Sequence, residues 1–149
     1  MTPAVKIETA GASLLRPLQK QARPRVNNAF AAGEKMADCF RADNARTLVT
    51  IPLRRAVLSV THLGRDYNDG DAPVMLPPES AFLVVLYLTD VEHRDVWPDR
   101  PPAPLKLYPK GSICLINLQQ GAGIAVEGRF EALIFHIPYE HLAELADEA

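Results

Sequence analysis

Apolar and polar residues alternate along much of the chain after residue 45, and that two-residue period predicts strands. RTLVTIPL, from Arg46, is the first, closed by Pro52. RRAVLSVTHLG is the second; its Ala56, Leu58 and Val60 alternate with Val57, Ser59 and Thr61, as on a half-buried strand. Asp43 and Asn44 read as a turn before the first strand, and Tyr67 to Asp71 (YNDGD) as a turn after the second. Pro73, Pro77 and Pro78 predict an extended, unpaired stretch, because proline has no N–H to give to a sheet. SAFLVVLYLTDV sets Phe82, Val84, Leu86 and Leu88 against Leu83, Val85 and Tyr87. Apolar on both faces, it predicts a central strand covered on both sides. EHRDVWPDRPPAPLKLYPKG follows, split by the prolines between Pro98 and Pro104 into two short strands or a bent arc.

From Pro109 onward the pattern predicts three more strands and a helix. SICLINL, GIAVEG and FEALIFHI are separated by Gly121 and Gly123, then by Gly128. Pro138 ends the alternation. YEHLAELADEA places Leu142, Leu145, Ala146 and Ala149 at helical spacing on one face. Glu140, Glu144, Asp147 and Glu148 fall on the other, and acidic residues at the end oppose the helix dipole. The helix is therefore expected to continue past Ala149. Earlier in the chain the helical period occurs in NNAFAAGEKMADCF, where Phe30, Met36, Ala37 and Phe40 share a face. Gly33 in its middle predicts two short helices. Residues 1–26 are weakly patterned and read as a loose arm, leaving 27–149 as the folded body. Short strands between Gly and Pro turns point to a sandwich or barrel.

Composition narrows the function classes. A chain of 149 residues with 48% hydrophobic and 23% charged residues is a globular domain with a real core. Its net charge of −2 lacks the basic footprint of a nucleic-acid binder. Cys39 and Cys114 are too few for a disulfide framework, and no apolar run is long enough to span a bilayer. The first residues lack the apolar centre of a signal peptide, so a cytoplasmic location is expected.

The C-terminal run resembles the end of the sensor domain of AraC-family transcriptional regulators. Tyr108, Pro109 and Gly111, then Asn117 and Leu118, match the family's aromatic-proline-x-glycine phrase and the strand after it. Phe130, Leu133, Phe135, Pro138, Leu142, Leu145, Ala146 and Glu148 match the signature that follows. FLVVLYL and VWPD also resemble the family, although Arg100 stands where its turn glycine would fall. The resemblance covers about residues 36–149. It implies a mainly β, cupin-like double-stranded β-helix (jelly-roll) barrel with a short N-terminal helical segment and a C-terminal helix. It further implies a small-molecule effector, a homodimer formed through C-terminal helices, and DNA contact only through a following helix-turn-helix module absent from this chain.

The residues themselves point to binding rather than catalysis. No H-x-H pair occurs, and Cys114 stands where a metal cupin would place a second-half histidine. His62, His93, His136 and His141 lie on separate elements and read as structural or surface groups, so neither metal nor cofactor is expected. No G-x-S-x-G surrounds a serine, and a thiol in an apolar strand has a raised pKa, so no catalytic residue is assigned. Asp66, Asp69 and Asp71 read as a solvated turn, and Arg129 as a solvated charge. Tyr87, Trp97, Tyr108 and His136 each combine an apolar body with one polar handle, the mixture that lines ligand pockets. Leu142, Leu145 and Ala149 are the expected dimerisation residues. The competing function is a small cupin-type enzyme, an isomerase or metal-dependent oxygenase.

Overall fold

The computed structural model describes residues 4–7, 23–51 and 57–148. Strand β1 (Ala4–Ile7) precedes helix α1 (Arg23–Phe40). Strands β2 (Asn44–Ile51), β3 (Leu58–Tyr67), β4 (Val74–Leu76), β5 (Ala81–Tyr87), β6 (Val91–Asp95), β7 (Lys106–Tyr108), β8 (Ile113–Asn117) and β9 (Ala122–Pro138) follow, and helix α2 (Tyr139–Glu148) closes the order. One antiparallel ladder runs β1-β2-β3-β9-β5-β8. A second sets β9 between β4 and β6, with β7 outside β6.

Strand β9 is the piece common to both. Two strands were expected across residues 122–138, broken at Gly128; a single 17-residue strand is found. Gly128 has φ of +75°, a left-handed conformation that glycine adopts at no steric cost. Glu127 still pairs with Glu92 of one ladder, while Gly128 pairs with Tyr67 of the other. The glycine therefore bends the strand from one sheet into the next without ending it, and folds the two sheets face to face. Ile124, Val126, Phe130, Ala132 and Ile134 consequently share one interior with Leu83, Val85 and Val91.

Three other expectations are corrected. Val74–Leu76 is paired with β9, since the three prolines flank this segment and leave its own N–H groups free. Strand β5 is covered on one face only: Ala81, Leu83, Val85 and Tyr87 are buried, whereas Phe82, Val84 and Leu86 are half-buried beside the exposed Ile113 and Leu115 of β8. Helix α1 begins at Arg23, with Pro24 in the first turn where a missing N–H is tolerated, and runs unbroken through Gly33. That glycine serves packing. A Cβ on it would lie 2.1 Å from Thr47 Oγ1 and 2.8 Å from Thr61 Oγ1, so the helix rests directly on β2 and β3.

The end of α1 is pinned where the core needs it. Arg41 adopts φ of +50°, and the Ala42 and Arg41 amides donate to Ala37 and Asp38 carbonyls, both at 3.0 Å. The Tyr67 hydroxyl donates to the Phe40 carbonyl at 2.6 Å. Met36 and Phe40 thereby enter the core between the sheets. At the other end α2 leaves β9 with no loop. Among its described side chains His141 is buried, and its Nδ1 lies 2.7 Å from the Val57 carbonyl oxygen. Among the described residues, no helix is long and apolar enough to cross a membrane.

Candidate ligand site

The strand ends of β5, β6 and β7 gather three rings. Tyr87 closes β5. Val91 and His93 alternate with exposed Glu92 on β6, which turns both inward, and Tyr108 is paired with Val91 across the ladder. Tyr87 Oη and His93 Nε2 lie 2.8 Å apart in a buried hydrogen bond. The His93 ring stacks on Tyr108 with centroids 4.2 Å apart and planes within 7°. Phe130 meets Tyr87 edge-on at 6.1 Å and stacks on Phe40 at 5.0 Å. These rings wall a half-open cavity of about 290 Å³, near the lower bound of small-molecule pockets. Trp97 stands at its lip, half in solvent, with the Arg100 guanidinium 4.7 Å over its ring.

Burial sets the protonation states. It pushes the Tyr87 phenol well above its ordinary pKa, with the neighbouring Cys114 and Tyr108 adding to the effect. Tyr108 and Cys114 are raised by burial too, so Cys114 is a neutral thiol. Burial holds His93 below its ordinary value, against the opposing pull of Asp95. The rings and the Cys114 thiol are thus neutral hydrogen-bonding groups, and the one charged lining residue, Asp95, is exposed to solvent. One polar atom among the rings is unmatched: His93 Nδ1 is buried with no hydrogen-bond partner. Whichever ring nitrogen carries the proton, Nε2 is engaged by Tyr87 and Nδ1 has unmet demand. Leaving such an atom unpaired costs about 1–3 kcal/mol.

The lowered His93 pKa has a pH consequence. Unfolded His93 takes up a proton as pH falls through about 6.5, whereas the folded ring does so only at lower pH. The unfolded state then binds more protons, so the stability His93 confers is complete above about 6.5 and is lost on acidification toward the folded pKa. Urea unfolding at pH 7.5 and 5.5 is expected to show a smaller loss in His93→Phe than in the wild type. An identical loss in both proteins would contradict the assignment.

Three of the four residues chosen from the sequence, Tyr87, Trp97 and Tyr108, line this cavity. His136 does not. It lies six residues beyond Phe130 on β9, roughly 20 Å along the strand, and lines a separate cavity beside α1 and α2. His93 takes its place among the rings. The alternation of Val91, His93 and Asp95 carried that signal, but an isolated histidine in a polar run reads as surface. Of the remaining histidines, His62 pairs with Glu131 at 2.9 Å in solvent. Arg129 pairs with Asp66 and Glu131 at 3.6 and 3.5 Å. Among the described residues no three of His, Cys, Asp and Glu converge on a metal-binding point. Leu142 is 44% exposed on α2, while the Leu145 side chain and Ala149 lie outside the described residues.

No protein-family description matches the chain, and no curated protein does. Solved structures do. A cupin-superfamily protein from Desulfitobacterium hafniense DCB-2 is 15% identical, with 66% of this chain and 81% of that one covered, at a TM-score of 0.42. A Cupin 2 conserved barrel domain protein from Salinispora arenicola CNS-205 is 8% identical, covering 72% and 87%, at 0.46. The iron(II) form of HppE is 11% identical, covering 62% and 50%, at 0.43. The chain is mainly antiparallel β with an N-terminal and a C-terminal helix, as the family resemblance implied.

Proposed function

We propose that this domain is a small-molecule sensor. Its ligand has an apolar body and one hydrogen-bonding head, and occupies the Tyr87–His93–Tyr108 cavity. The observation that carries the reading is the unpartnered His93 Nδ1 inside an aromatic cage. With Asp95, the one charged lining residue, in solvent, the rings favour an uncharged head, because a charge placed among them has to surrender its hydration.

The AraC-type resemblance at Phe130, Leu133, Phe135, Pro138 and Leu142 supplies the context. Strand β9 lines the cavity with Ile124 and Phe130, then enters α2 without a loop. A ligand that binds one position of β9 better than another shifts the population of α2, and a DNA-binding module following α2 would read that shift. Leu142, with Leu145 and Ala149 three and seven residues on, forms the proposed seam of a homodimer.

Thermal denaturation across a panel of uncharged metabolites tests the reading. A ligand at one hundred times its Kd raises stability by about 2.7 kcal/mol. His93→Phe keeps the stack on Tyr108 and removes both ring nitrogens, so it is expected to abolish that gain. No stabilisation by any compound, or full stabilisation of His93→Phe, would refute the site. Turnover of the bound compound would make the cavity an active site.

A further inference from the structure

The second cavity, about 390 Å³, lies between the N-terminal half of α1, strand β3 and the start of α2. It is lined by three polar side chains that are almost wholly buried: Ser59 is 1%, His141 4% and His136 6% exposed. Ser59 Oγ and His141 Nε2 have no hydrogen-bond partner. Three alanines of α1, Ala29, Ala31 and Ala32, line the helix side.

The partners of the two imidazoles fix where their protons are. His141 Nδ1 is 2.7 Å from the Val57 carbonyl oxygen, which can only accept, so Nδ1 carries the hydrogen. In a singly protonated ring Nε2 is then a bare lone pair. It lies 3.4 Å from the Glu140 carboxylate, another acceptor. His136 Nε2 is 2.8 Å from Glu79, so its hydrogen is likewise committed. Arg25 is paired with Glu144 at 2.6 Å and Lys35 with Glu79 at 3.6 Å, and the carboxylate beside His141 is Glu140, whose side chain is 71% exposed. At His141 Nε2 an acceptor faces an acceptor, and a donor carrying positive charge would satisfy both the ring and Glu140.

We propose that this cavity binds a small organic monocation, a primary ammonium group. It donates hydrogen bonds to His141 Nε2 and Ser59 Oγ, with its charge balanced by Glu140. The site is separate from the Tyr87–His93–Tyr108 cavity and does not depend on what binds there. Because His141 and Glu140 belong to α2 while Ser59 belongs to β3, the cation ties the C-terminal helix to the barrel.

Isothermal titration calorimetry of the full chain at pH 8, with propylamine, propionate and 1-propanol, tests this. Propylamine is expected to bind saturably at one per chain, and the other two not. His141→Asn retains a donor toward the Val57 carbonyl but removes Nε2, and is expected to weaken propylamine roughly tenfold or more. Ser59→Ala, which leaves both histidines in place, is expected to weaken it as well. His93→Phe is expected to bind propylamine unchanged. Absence of saturable propylamine binding overturns the proposal, as does equal binding of propionate or propanol. So does undiminished affinity in Ser59→Ala or in folded His141→Asn, or lost affinity in His93→Phe.

Discussion

Phe130→Ala is expected to lower the stability of the domain by about 3–5 kcal/mol, the range for an aromatic deleted from a core. Phe130 is 1% exposed and sits two residues past the Gly128 bend, where β9 crosses between the sheets. Its ring stacks on Phe40 of α1 and meets Tyr67 of β3 and Tyr87 of β5 edge-on, at 6.3 and 6.1 Å. It therefore joins the helix to both flanks of the larger sheet. The space it leaves has little freedom to collapse. The Tyr67 hydroxyl is held by the Phe40 carbonyl and the Tyr87 hydroxyl by His93. Those bonds keep the surrounding rings apart, so the cavity term adds to the lost transfer energy. Phe130→Leu retains most of the volume and is expected to cost clearly less. Urea unfolding of the three proteins checks this. Equal stabilities, or a loss under about 1 kcal/mol for the alanine variant, would show that the ring cluster is not a principal support.

Gly33→Ala is the second large effect, and its sign is contested. Helix propensity favours alanine by about 1 kcal/mol. Much of that difference is the reduced freedom of the unfolded chain. Packing opposes it. The new methyl would sit 2.1 Å from Thr47 Oγ1 and 2.7 Å from its Cγ2, with Thr61 Oγ1 at 2.8 Å. Nor can the hydroxyls rotate away without loss, because they are hydrogen-bonded to each other at 3.2 Å. The helix must lift off β2 and β3, and a net destabilisation of about 1–3 kcal/mol is expected. Adding Thr47→Ala removes the two closest atoms and releases Thr61 Oγ1 to turn. The double variant is expected to return to within about 1 kcal/mol of the wild type, a strongly non-additive result. A Gly33→Ala protein more stable than the wild type would mean that the helix does not rest on the two threonines.

Features decided over a few neighbouring residues were legible in the sequence. The strand alternation around Leu83–Tyr87, the two short strands either side of Pro98–Pro104, and the helix after Pro138 are all found. Tyr87, Trp97 and Tyr108 do converge on one cavity. The misreadings share a cause. Gly33 and Gly128 look alike as interruptions, since a glycine states only that a side chain is missing. One proves to be a contact surface for Thr47, the other a bend in a continuous strand. The apolar outer face of β5 was read as covered, because hydropathy records what a face avoids and not what lies against it. His93 and His136 were likewise interchangeable as letters; only strand pairing puts the first against Tyr108 and the second opposite Ser59.

By itself the sequence determined the β character, most of the strand and helix positions after residue 27, and the aromatic residues available to a pocket. Those follow from periodicity and backbone sterics, which act within a few residues. The tertiary structure alone decided which sheet each strand joins, which histidine enters the aromatic cage, and which polar atoms are left buried without partners. Those outcomes depend on residues distant in sequence: Ser59 and His136 meet by strand pairing, and Tyr108 reaches Tyr87 and Phe130 when β9 bends at Gly128 and the two sheets close.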